Sequence, residues 1–151
     1  MNKVIVITTD NELRTEDYPS GDWKTRHDAL TGMIGNGCRM VEHVMPVRLY
    51  TGLGAYPEYP QNGRCRPNML VDEDGYANQQ RVNLVGCWLY QTDIHGCPIL
   101  GNIIIAGETD IGDGDGLDFI GLTDDQYKLL LPQFKKLCEK ARMTNEITAY
   151  C

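Results

Sequence analysis

No apolar run in these 151 residues approaches the ~20 needed to cross a bilayer, so a membrane-spanning reading is excluded at the outset. The opening MNKVIVITTDNE has one lysine and a short β-branched stretch that passes straight into polar residues, with no small-residue cleavage site after it. That is too short for a secretory signal and reads as a first strand in a cytoplasmic protein. No C-x-x-C pair occurs among the six cysteines, and the spacing of Cys87, His95 and Cys97 is not that of a zinc knuckle. The cysteines therefore read as ordinary thiols in a reducing compartment. There is no Walker lysine and no nucleophile elbow. Gly52-x-Gly54 lacks the third glycine of a dinucleotide fingerprint, and Gly112-x-Gly114-x-Gly116 is interleaved with acids that repel phosphate. Histidine is scarce. His27, His43 and His95 are scattered, no serine or cysteine partner can be assigned to them by spacing, and His27 reads as packing on a helix face.

Basic residues are nearly missing from the middle of the chain. Residues 1–67 hold eight acids and eight bases, residues 68–127 hold eleven acids against Arg81 alone, and residues 128–151 hold five bases and two acids. The net charge of −7 is thus concentrated in one block. A chain of this kind has no broad basic face for duplex DNA, whose binding is dominated by phosphate contacts. The acidic block reads either as a solvated face or as a surface that mimics nucleic acid. Asp110, Asp113, Asp115 and Asp118 offer oxygen ligands for a cation, but Leu117 and Asp118 stand where an EF-hand needs an Asp/Asn and a glycine, so no metal site is assigned.

What is present indicates one α+β domain over residues 1–151: a small mixed, mostly antiparallel sheet, an N-terminal helix over about 22–34, and a Pro-interrupted C-terminal helix over about 123–142. Lys3 to Thr9 is β-branched, and Glu12 to Tyr18 can return beside it as a hairpin. Trp23, His27, Leu30 and Ile34 fall on one helical face, with Ser20 or Asp22 as its cap and Gly35-Asn36-Gly37 as its stop. Cys38 to Tyr50 alternates like a strand, edge-lying or bulged at Pro46. Val82 to Tyr90 fits a buried helix or a strand equally. Ile99 to Gly107 is a core strand, with Gly101 at a bulge or close backbone approach. Thr123 and Gln126 have the spacing of a capping box, and Pro132 should kink the helix that follows or split it in two.

The irregular segment TGLGAYPEYPQNGRCRPN, residues 51–68, is too long for an ordinary connection and is the leading candidate site. Tyr50, Tyr56 and Tyr59 can stack on a flat ring, while Arg48, Arg64 and Arg66 can fork onto phosphate or carboxylate. Aromatic faces with arginines are the physical recipe for a nucleotide or single-stranded nucleic acid. The competing reading is a Pro/Tyr-rich loop that packs on its own domain or forms a homo-oligomer contact.

The segments LVDEDG, VNLVGCWLY, ILGNIIIAGETD and LTDDQ, within residues 70–126, resemble a small domain-of-unknown-function family of bacteriophages, prophages and conjugative elements. In that pattern Asn83 precedes a small apolar helix, and it joins the candidate ligand-binding residues. The resemblance implies a mobile-element accessory protein acting against host defence. It implies no catalytic residue and no cofactor. On this reading the protein is a non-enzymatic binder that sequesters a nucleotide-type signal. The alternatives are an acidic inhibitor that occupies a nucleic-acid-binding host protein, or an uncharacterised small enzyme.

Overall fold

The computed structural model describes residues 2–57, 65–110 and 117–143. Six strands form one sheet: β1 (Lys3–Ile7), β2 (Leu13–Asp17), β3 (Val41–Val44), β4 (Cys65–Asp72), β5 (Ile103–Asp110) and β6 (Leu117–Ile120). Their order is β2-β1-β5-β4-β3, with β6 also paired to β5. Every ladder among the described residues is antiparallel, without the mixed component expected of the sheet. The helices are α1 (Trp23–Ile34), α2 (Val47–Thr51), α3 (Leu84–Tyr90), α4 (Thr92–His95) and α5 (Asp124–Met143). The α+β class holds, and no described helix is long and apolar enough to cross a membrane.

The sheet is buried on both faces because β1, β4 and β5 carry apolar residues at successive positions rather than alternate ones. Ile5, Ile7, Met69, Ile103 and Ile105 point to one face, where they meet Val85 and Leu89 of α3 and Leu130 and Phe134 of α5. Val4, Val6, Leu70, Ile104 and Ala106 point to the other and meet Leu30 and Ile34 of α1. Burying side chains of this size stabilises by roughly 1.5–3 kcal/mol each, which places the driving force for the fold in these three strands.

Local signals behave as their chemistry requires. The Thr25 N–H donates to Asp22 Oδ1 at 2.8 Å, so Asp22 is the cap of α1. Thr123 and Gln126 make the reciprocal bonds of a capping box, at 3.2 and 3.0 Å. Gly101 sits at φ +91, and a Cβ there would lie 3.1 Å from the Gln80 side chain. Gly107 is tighter still: a Cβ would meet Cys65 Sγ at 2.2 Å and the Gly121 carbonyl at 2.7 Å.

Two expectations are corrected. The strand read over Cys38 to Tyr50 ends at Val44, and Val47 onward coils into α2, with Pro46 at its N-cap. Proline's fixed φ and missing donor end a ladder and suit a helix start, and Leu49 then reaches the core from α2 instead of from an extended strand. The C-terminal helix is not interrupted: α5 runs through Pro132 without a break. Pro132 lies on the solvent side, so the carbonyl it leaves without a donor can turn to water, while Leu130, Phe134, Cys138 and Ala141 hold both halves to the core. The ambiguous stretch Val82 to Tyr90 resolves as a helix, because Asn83 caps it and four of its seven residues are buried.

Candidate functional site

One face of the sheet packs against α1. Leu30 and Ile34 are buried, but Trp23, one end of the same helical stripe, is 66% exposed. It is not in the core. Trp23 stacks on His27 with ring centroids 4.9 Å apart and planes 13° from parallel. The His27 Nε2–H donates to the Arg39 carbonyl at 2.8 Å, which fixes the ring's tilt and makes it a surface fixture rather than buried packing. Trp23 and His27 form one wall of a cavity of about 210 Å³, and Tyr18, Phe119 and Arg26 form much of the rest.

Each wall has a reason to be there. Tyr18 follows β2 and is anchored by its N–H to the Asn2 carbonyl at 2.7 Å. Burial and the neighbouring Asp118 carboxylate raise its phenol pKa, keeping it protonated at neutral pH. Phe119 stands opposite Glu108 in the β5–β6 register, so β6 brings it onto this face. There its ring leans against His43, 5.9 Å away and tilted by 53°. Arg26 is one turn into α1. Its Nη1 approaches Asp118 Oδ2 at 3.4 Å, while its Nε is shielded from solvent with no hydrogen-bond partner. A buried donor left unmade costs about 1–3 kcal/mol. The volume lies below the ~300–1,000 Å³ of pockets that swallow a drug-sized ligand, so one flat ring fits and the rest of a larger molecule stays at the surface.

On this face also lies a buried polar cluster. Glu108 of β5 is 1% exposed and stands directly opposite Arg66 of β4. Arg66 donates to Glu108 Oε2 from Nη2 at 2.8 Å and from Nε at 3.2 Å, and Asn68 Nδ2 donates to the same oxygen at 2.7 Å.

The candidates read from the sequence are not gathered into one site. Arg48 lies on α2 and makes a two-pronged ion pair with Asp93, at 2.7 and 3.0 Å, with a further bond to the Trp88 carbonyl. Arg66 belongs to β4 and faces Glu108. Tyr50 is half-buried near that pair and donates its hydroxyl to the Pro67 carbonyl at 2.6 Å; burial raises its pKa to about 12. Tyr56 is half exposed after α2. Asn83 is fully buried, far from these in role: it caps α3 through the Gly86 N–H and donates to the Ile7 and Gly101 carbonyls, each at 3.0 Å. Tyr59 and Arg64 lie outside the described residues, as do Asp113 and Asp115. Among the described residues no cluster of three or more His, Cys, Asp or Glu is placed to hold a metal.

Sequence reasoning did not single out Tyr18, Arg26 and Phe119, and placed Trp23 and His27 on the apolar face of α1 with Leu30 and Ile34. Their helical spacing is the same whether the stripe is covered or exposed, and only the extent of the sheet below α1 separates the two cases. No protein-family model, curated protein or solved structure matches the chain.

Proposed function

We propose that this chain is a non-enzymatic accessory protein of a mobile genetic element, which counters a bacterial defence by sequestering a nucleotide-type signalling molecule in the host cytoplasm. The base of that ligand would stack on Trp23 in the slot bounded by His27 and Phe119, with Arg26 meeting an acceptor on it. The observation that carries this reading is an exposed tryptophan, stacked on His27, beside a cavity of one-ring size lined by Arg26. Exposing so large an aromatic to water has a cost, and stacking on a base returns about 1–3 kcal/mol per ring. The mobile-element context rests on the motif resemblance of residues 70–126.

Titration calorimetry with a panel of cyclic oligonucleotides and ADP-ribose derivatives tests the proposal. A member of the panel should bind stoichiometrically, quench tryptophan fluorescence and be recovered unmodified. Trp23→Ala should weaken binding roughly 5- to 150-fold, the equivalent of ~1–3 kcal/mol, with Trp23→Phe partly restoring it. Failure of the whole panel, or affinity untouched by Trp23→Ala, removes the proposal. Turnover of the ligand would replace it with an enzymatic one.

A further inference from the structure

The strand β3 ends the sheet, with β4 on one side and no described strand on the other. Its outward backbone groups are a template for a further strand. Beside this edge, on the face that carries Glu42 and Val44, lies a second cavity of about 280 Å³. Its floor is apolar, from Val44, Val71 and Ile99, and Tyr76 and Tyr90 stand at its walls. Tyr76 is 90% exposed. The rim is acidic: Glu42 and Glu73 line it and are exposed, Asp74 lies near Glu42, and none of the three forms an ion pair with a described residue. Partial burial raises the pKa of Glu42, with Glu73 the next contribution and Asp74 and Asp72 adding to it; His43 works in the opposite sense. A cation placed here would relieve that crowding.

We infer that the β3 edge is a docking site for an extended basic segment of another protein, which adds a strand to the sheet and sets a lysine or arginine against Glu42. Side chains alternate along a strand, so every second residue of the incoming segment falls on the Glu42 and Val44 face. One such residue meets the Glu42, Glu73 and Asp74 charges, and the next, two positions away, meets the apolar floor at Val44. The recognised pattern is therefore basic-x-apolar, in either direction. Main-chain bonds supply affinity and these two positions supply selectivity, as in other strand-addition complexes. Charge also selects the partner class. A second copy of this chain, paired edge to edge, would bring two Glu42 groups and their acidic neighbours together, and nucleic acid would bring like charge. The cavity beside Glu42 and Val44 lies on the face of the sheet opposite the Trp23 slot, which the same strand touches through Val41.

Fluorescence anisotropy with a labelled Lys-Thr-Val-Thr-Lys-Val peptide tests the inference, against a Glu-for-Lys version and one with alternate backbone amides N-methylated. The basic peptide should bind, and raising the salt should weaken it. Glu42→Lys with Glu73→Lys should weaken it by about tenfold or more, with Glu42→Gln intermediate. N-methylation should abolish binding if the edge itself is used. Circular dichroism of the variants confirms that these exposed substitutions leave the fold intact. Three results overturn the inference: no binding by the basic peptide, equal binding of the acidic or N-methylated peptide, or sedimentation showing that the edge is closed by a second copy whose association Glu42→Lys alters.

Discussion

Removing Arg66 while keeping Glu108 should be among the most damaging single changes on the sheet. Glu108 is 1% exposed and its Oε2 collects bonds from Arg66 Nη2, Arg66 Nε and Asn68 Nδ2, at 2.8, 3.2 and 2.7 Å. The Arg66 side chain is itself 11% exposed, so solvent screens the pair little. Arg66→Met fills similar space but leaves a carboxylate inside with the Asn68 amide as its remaining donor of the three. Breaking a buried pair from one side costs about 3–5 kcal/mol. With a urea slope of roughly 2 kcal/mol per molar for a domain of this size, the midpoint should fall by about 2 M. The double variant Arg66→Met/Glu108→Leu removes both charges. It should recover most of the loss, because replacing a buried pair by apolar groups is often neutral or better. Some deficit should remain, up to about 1–3 kcal/mol, since Asn68 Nδ2 then keeps only its 3.5 Å contact with His43 Nδ1. Urea denaturation of the wild type, both single variants and the double at neutral pH completes the cycle. A loss below about 1 kcal/mol for Arg66→Met, or strict additivity in the double, would refute the view that this pair is buried and mutually dependent.

Two further outcomes follow from single side chains. Asn83→Ala should lose the cap of α3, about 0.5–2 kcal/mol, and leave the Ile7 and Gly101 carbonyls without a donor, about 1–3 kcal/mol more; Asn83→Asp, which keeps the acceptor and loses the amide donors, should not rescue it in thermal melts. Tyr50, raised to about 12 from 10.0 by burial, holds its proton in the folded state after the unfolded chain has released it. Its contribution is therefore complete below pH ~10 and declines as pH rises toward ~12, a slope that Tyr50→Phe should flatten in alkaline unfolding curves.

Much of the fold was legible because its signals are local. The β-branched run of β1, the Asp22 cap and glycine stop of α1, and the Thr123–Gln126 box each act within four residues, where side-chain chemistry alone decides the backbone. Pro46 and Pro132 were legible as disturbances but not in their outcome. Whether proline ends a strand in a helix, or is carried on a helix's wet side without splitting it, depends on which neighbouring residues find a core. The residue types of the candidate loop were legible, but the partners of its arginines were not. Tyrosines and arginines crowd residues 48–66, yet Arg48 and Arg66 are drawn into ion pairs by Asp93 and Glu108, 45 and 42 residues away. The aromatic slot draws instead on Tyr18, Trp23 and Phe119, from three separate elements.

The acidic block of residues 68–127 shows the same division. Composition alone determined that it exists and that it opposes binding to duplex nucleic acid. Tertiary structure decided what each acid does. Glu108 is inside, neutralised by Arg66; Asp93 holds Arg48; Asp72 is tied up by Asn78 and Gln80. Glu73 and Asp74 are left outside beside Glu42 at a sheet edge. Charge is a property of residues, but whether a charge is spent within the fold or remains for a partner depends on what tertiary packing brings within about 3 Å of it.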